Sequence, residues 1–383
     1  LLECALAYKK LFNKKYIFSL LTIIVCIFVL FAMYKKYYKA GNRILPVQYS
    51  QNIGYWFNEK GAFKSEGILT YFYSAEDGKR YIACNRNGCN HDTKECPAYG
   101  SNTAITYDNT GIYYVSIGEG EGPFQATLYH VDIDGDNKEK IHDFKSMEII
   151  TDAVYIDNKL YIAYQNTLDK NGNTMDENEV GILEYDIRTK RERHIFNIKK
   201  NNAYISSINV NKGKLFILCA YSDMTYDEAV KYKNNKKFID SKSKYLLLRV
   251  DLQNLREKVI AKKIFYLTNI PIVGNYIIYA KDNGTYAYNM DKENSKMISH
   301  KICEVLENIS TNNEVIIFNT NESGKREYVC YNKYLKKKRK VESEKYCVGF
   351  SEKYVYLYDK NANLLYEKTN DFLAGKNEVR KFK

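Results

Sequence analysis

The sequence predicts an all-β chain: a β-propeller of four-stranded antiparallel blades, seven favoured over six, behind one N-terminal transmembrane helix. Three observations predict it. A strand–Asp–turn–strand unit recurs after residue 100, around Asp132, Asp186 and Asp251 in the stretches 128–141, 182–195 and 247–260. Repetition of this kind marks one supersecondary module copied along the chain. Tyrosine is abundant at 37 residues and proline scarce at four, the bias of strands, which favour aromatic side chains and exclude proline. A single uncharged apolar run lies near the N-terminus.

That run covers residues 17–33 and, with Tyr16 and Tyr34, reaches about 19 residues, enough to cross a hydrocarbon core as a helix. Lys9, Lys10, Lys14 and Lys15 precede it, and Lys35, Lys36, Lys39 and Arg43 follow. It ends at Met33-Tyr34-Lys35-Lys36 without the small-residue site of a cleaved signal peptide. The expected organisation is a basic cytoplasmic tail (1–15), a transmembrane signal anchor (16–34), a juxtamembrane linker (35–50) and an extracytoplasmic propeller (51–383). A short basic N-terminus favours N-in, because long domains translocate largely regardless of charge. The expected location is therefore the cell membrane, single-pass, with the propeller outside. Residues 1–45 carry eight Lys/Arg against Glu3, or +7, leaving +5 of the total +12 for the rest. The basic balance thus reports membrane flanks and argues against a nucleic-acid partner.

The blades follow in order. An N-terminal set offers strands at 54–57, 68–73 and 80–83. Five complete units then run through 104–141, 152–195, 205–260, 270–298 and 304–341, each as strand, turn, strand, loop, strand, Asp- or Asn-turn, strand. A last set, 347–350, 354–358 and 363–366, shows no fourth strand. Radially repeated four-stranded sheets bury their faces on one another. Asp or Asn at the turns has a local cause, since either side chain bonds the backbone two residues on. The longest insertions, 165–181 and 222–244, read as loops, and residues 226–233 as one or two helical turns.

One segment, 84–99, carries ligand-like chemistry as an insertion rich in cysteine. Cys84, Cys89, His91 and Cys96 are three thiols and one imidazole within 13 residues, the donor set of a tetrahedral zinc site. The spacing is that of no standard zinc finger; a disulfide among the three cysteines, natural for an extracytoplasmic domain, is the first reading, zinc the second, and unpaired or redox-active thiols the third. The sequence leaves all three open. Cys219, Cys330 and Cys347 fall in strands and read as core packing, with Cys303 beside one. Asp169, Asn171, Asn173 and Asp176 supply oxygens for a candidate calcium site, the weaker of the two metal expectations. Asp132-Ile-Asp134-Gly-Asp136 looks similar but reads as a hairpin turn, and the basic run Lys336–Lys340 as a solvated strand edge.

A membrane span, a hairpin ending in Cys84, then Cys89-Asn-His91-Asp92 and Cys96-Pro-Ala-Tyr99, then propeller repeats, resembles TolB-like β-propeller surface proteins of low-GC Gram-positive bacteria. The resemblance implies a propeller at the cell envelope and implies no activity. This chain departs from the lipid-anchored members in lacking a lipobox cysteine at the membrane exit.

None of the five histidines sits in a Ser/His/Asp or metalloprotease motif. The sequence therefore favours a non-enzymatic binding module over an enzyme. Its expected partners are the bilayer, through the span, and an envelope protein or glycan. The alternatives are an envelope carbohydrate-active enzyme with acidic residues in the propeller channel, or a sensor whose cytoplasmic domain precedes Leu1.

Overall fold

The computed structural model describes residues 48–50, 55–57, 60–100, 102–108, 110–117, 126–132, 135–144, 149–168, 174–264, 270–302, 305–309, 314–320, 326–351 and 353–383. The expected tail and transmembrane run lie outside them. Among the described residues no helix is long and apolar enough to cross a membrane.

Residues 45–383 form one compact unit, whose described residues make seven antiparallel sheets, six of four strands and one of five. They are numbered here as blades 1–7: 48–82, 102–144, 149–200, 204–262, 272–299, 305–343 and 346–381. Within each blade the strands pair in sequence order. The innermost strands lie side by side around the ring. Ile149–Ile156 of blade 3 contacts Asn102–Tyr107 of blade 2 and Tyr204–Asn211 of blade 4. Tyr346–Phe350 of blade 7 contacts Val305–Ile309 of blade 6 and Gln48–Ser50 of blade 1, which closes the circle.

Local sequence follows position in the blade. The second strand of blade 4, Lys214–Ser222, reads Lys-Leu-Phe-Ile-Leu-Cys-Ala-Tyr-Ser and is buried almost throughout. It is covered on both faces by neighbouring blades, so its apolar run does not alternate. The outer strand Glu257–Lys262 is exposed except near Ile260 and Ala261. Phe216, Leu218 and Leu247 pack toward blade 5, whereas Leu215, Ile217 and Cys219 pack toward blade 3. Each such side chain contributes about 1.5–3 kcal/mol on burial.

The Asp and Asn turn residues act locally, as their positions predict. Asp186 Oδ1 accepts the N–H groups of Arg188 and Thr189 at 3.0 and 2.8 Å, and Asp251 Oδ1 those of Gln253 and Asn254 at 3.0 and 3.3 Å. Asn289, Asn332 and Asp359 repeat the arrangement in blades 5, 6 and 7. Lys190, Leu255, Glu293, Leu335 and Ala362 take positive φ at the ends of these turns, closing them tightly. Polar side chains also tie blades together. Asp152 of blade 3, buried, accepts the Ile208 N–H of blade 4 at 2.8 Å and the Ala153 N–H at 2.9 Å.

Several expectations are corrected. Blade 1 has five strands, because Gln48–Ser50 and Gly61–Glu66 join the three expected. Blade 7 has its fourth strand at Arg380–Lys381, delayed by a helix at Thr369–Leu373. There Lys383 N–H donates to Gly78 O at 2.7 Å and Arg80 N–H to Lys383 O at 3.2 Å, latching blade 7 onto blade 1. The insertion expected as a loop at 165–181 is largely a hairpin: Lys159–Leu168 and Thr174–Asp186 stay paired through Asn166↔Glu179, with Leu168↔Thr174 beyond an irregularity. Of the candidate calcium ligands, Asp169, Asn171 and Asn173 lie outside the described residues, and Asp176 stands in the second of those strands. The insertion in blade 4 holds two helices, Tyr226–Lys231, capped by Thr225, and Lys236–Lys242, capped by Asn235.

Candidate metal centre and the adjoining cleft

The cysteine segment leaves the outer strand of blade 1, Lys79–Ile82, and is held at both ends. Ala83 N–H donates to Thr70 O at 2.9 Å and Cys84 N–H to Ile82 O at 2.7 Å. On the way back Thr70 N–H donates to Ala98 O at 2.8 Å, Gly100 N–H to Ile68 O at 2.9 Å, and Tyr99 bridges Leu69. Between these anchors the chain needs sharp reversals, which Gly88 at φ 70° and His91 at φ 60° supply. Glycine adopts such a backbone freely; histidine does so uncommonly, and here the bend turns its ring inward.

The bends bring together all four donors singled out from the sequence. The ligating atoms of Cys84, Cys89, His91 and Cys96 lie within 4.8 Å of one another. His91 Nδ1 is 3.4 Å from Cys96 Sγ. Cys96 is buried, Cys84 and Cys89 half-buried. Each sulfur accepts a backbone N–H from two residues on: Arg86 to Cys84, His91 to Cys89 and Ala98 to Cys96. The electrostatic consequences differ by depth. Burial pushes the Cys96 thiol up to about 12 and raises that of Cys84, whereas the His91 N–H draws the Cys89 thiol down. Donors of this number and type can hold a tetrahedral ion, and any two of the sulfurs are close enough to join as a disulfide after a small movement.

Sequence reasoning missed what the segment leans on. The turn after Asp132 in blade 2 docks against it: Asn85 N–H donates to Gly135 O at 3.2 Å, and Arg86 Nε to Asp136 O at 2.8 Å. Arg86 also donates through Nη1 to Glu95 O at 2.7 Å, tying both halves of the segment to that turn. Lys138 Nζ, at the start of blade 2's outer strand, reaches Tyr99 O at 2.9 Å. Gly135, at φ 76°, takes a left-handed backbone that side-chain-bearing residues rarely adopt, and it lies beside the Cys84 and Asn85 backbone. The only advance signal was the Asp-Gly turn, which reads as a hairpin and not as a docking surface.

Beside the segment, between blades 1 and 2, lies a cleft of about 400 Å³. Phe63 and Phe72, with ring centroids 4.7 Å apart, form an apolar wall with Ile112 and Val131. Cys84 belongs both to the donor cluster and to the cleft lining. Lys60, Glu76 and exposed Tyr81, whose hydroxyl donates to Asp77, give polar character to the lining. A concave site of this size with an apolar floor and a few polar groups is the usual form of a ligand pocket.

The remaining cysteines Cys219, Cys330 and Cys347 are buried in apolar clusters, as their strand positions predict. Cys303 lies outside the described residues.

No protein-family model matches the chain, and no curated protein matches it in sequence. Solved structures do match in fold. A chain of the mitotic checkpoint complex superposes with a TM-score of 0.50 at 8% identity, covering 85% of this chain and 90% of that one. An oligogalacturonate lyase in complex with manganese gives 0.48 at 11%, covering 81% and 82%. Sqt1 of Saccharomyces cerevisiae gives 0.46 at 8%, covering 90% and 86%. The chain is an all-β propeller, as its ring of antiparallel sheets shows, and the first of these likenesses, at 8% identity, is one of fold alone.

Proposed function

We propose that this chain is a membrane-anchored binding protein, carried by the apolar run 16–34, that presents its propeller outside the cell to a partner protein or envelope glycan. The recognition site is the cleft between blades 1 and 2. The observation that carries this reading is the cleft itself: about 400 Å³, walled by a phenylalanine pair and bordered by Lys60, Glu76 and Tyr81. Aromatic walls with a polar border suit both the apolar side chain of a protein and the flat face of a sugar ring. The cleft lies between two blades and an inserted segment supplies one wall, the usual division between support and recognition.

The test is photo-crosslinking in cells, with a benzophenone amino acid replacing Tyr81 at the cleft or Val230 on the blade 4 insertion, which is 52% exposed. The reading expects an adduct from position 81 that weakens strongly in Phe72→Ala. Adducts from position 230 with none from 81 would move recognition to the blade 4 insertion and end the proposal.

A further inference from the structure

We propose that Cys84, Cys89, His91 and Cys96 hold one zinc ion, and that this ion clasps the seam between blades 1 and 2 and fixes a wall of the cleft.

Geometry separates zinc from the disulfide that the sequence reading puts first. A disulfide joins two sulfurs and asks nothing of a third thiol or of an imidazole. Here four donors converge within 4.8 Å, and the imidazole is one of them. Zinc–sulfur and zinc–nitrogen bonds of about 2.3 and 2.0 Å in a tetrahedron place sulfurs about 3.8 Å apart and nitrogen about 3.5 Å from sulfur. The observed His91 Nδ1 to Cys96 Sγ separation of 3.4 Å lies close to that value. The left-handed backbone at His91 is a local cost of the kind that functional geometry sustains.

The reason for a clasp at this place is the packing of the seam. Among the described residues the apolar cluster between blades 1 and 2 buries two side chains, Tyr114 and Val131. The neighbouring seams, blade 7 to 1 and blade 2 to 3, bury eight and twelve. The cleft occupies the space that apolar packing fills elsewhere. Cohesion at this seam then falls to the cysteine segment, which is anchored on blade 1 through Thr70 and Ile68 and on the blade 2 turn through Gly135 and Asp136. A segment with little apolar burial holds such a shape only when cross-linked, and zinc supplies that cross-link.

The experiment uses the full chain purified in mild detergent. Zinc per chain is measured by mass spectrometry for the wild type and for Cys89→Ser, with hydrogen exchange followed before and after a strong chelator. The expectation is about one zinc per chain in the wild type, a large loss of it in Cys89→Ser, and native exchange in blades 3–6 of both. On chelation, exchange in 83–100 and in the blade 2 turn 132–137 should rise by at least about tenfold. Zinc-free protein with oxidised thiols overturns the metal assignment. Bound zinc whose removal leaves 132–137 unchanged overturns the clasp. The cleft wall rests on the function proposed above, but these readouts involve no ligand. If crosslinking at position 81 fails while zinc and exchange behave as stated, the binding proposal falls alone.

Discussion

Asp152 gives the most quantitative prediction. Its carboxylate is buried between blades 3 and 4, accepting the Ile208 and Ala153 N–H groups and a bond from Ser207. Burial outweighs these donors and raises the carboxyl from 3.8 to about 7. The folded state therefore holds a proton that the unfolded state releases between those values, and stability falls as pH rises across that window. The full difference corresponds to about 4 kcal/mol, a large part of a typical folding free energy. In Asp152→Asn the group cannot ionise, and one acceptor site is exchanged for a donor, costing about 1–3 kcal/mol at pH 4. Urea unfolding of both proteins at pH 4, 6 and 8 isolates this group, because the other titrations cancel in the difference between variants. The variant should gain several kcal/mol relative to wild type from pH 4 to pH 8, and should equal or exceed it at pH 8. A difference between the two proteins that does not change with pH would refute the reasoning, showing that the backbone donors keep Asp152 charged.

Three further outcomes are expected from equilibrium unfolding. Phe144→Ala, at a fully buried ring packed on His142 and Tyr185 between blades 2 and 3, should cost about 3–5 kcal/mol. Deleting Arg380–Lys383 removes the two backbone bonds to Gly78 and Arg80 and the Phe382 ring from Tyr73 and Tyr366; a loss of about 2–4 kcal/mol is expected, with exchange rising first in blades 7 and 1. Glu184, buried in blade 3, binds Lys159 at 2.9 Å and Arg193 at 2.8 Å; Glu184→Gln should cost about 1–3 kcal/mol at neutral pH. Despite burial, its bonds to Arg193 and Lys159 hold its pKa below the ordinary 4.5. The stabilisation is thus present above that value and lost as pH falls through the lower folded one, so the variant's deficit should shrink in acid.

How much was legible depended on whether each element's cause is local. The Asp and Asn turns were readable because their hydrogen bonds span two or three residues, as at Asp186 and Asp251. Strands such as Lys214–Ser222 were readable because burial on both faces demands an unbroken apolar run. Gly61–Glu66 was not, since Gly-Ala-Phe-Lys-Ser-Glu carries little strand preference and is set by pairing with Leu69–Ser74. Arg380–Lys381 was hidden for the same reason, being two polar residues defined by Leu365 and Tyr366 opposite. The four donors at 84–96 were legible as chemistry, because residue type alone names them. Their convergence was not, as it depends on φ at Gly88 and His91 and on the Gly135 turn some forty residues on. The cleft had no signal at all, for it exists only where Phe63 of blade 1 faces Ile112 and Val131 of blade 2.

X-ray absorption at the zinc edge of the full chain, purified without added metal, tests the central claim most directly. Coordination by Cys84, Cys89, His91 and Cys96 predicts three sulfurs at about 2.3 Å and one nitrogen at about 2.0 Å, with one sulfur lost in Cys89→Ser. Protein that carries no zinc, or zinc surrounded by oxygen and nitrogen alone, would contradict it.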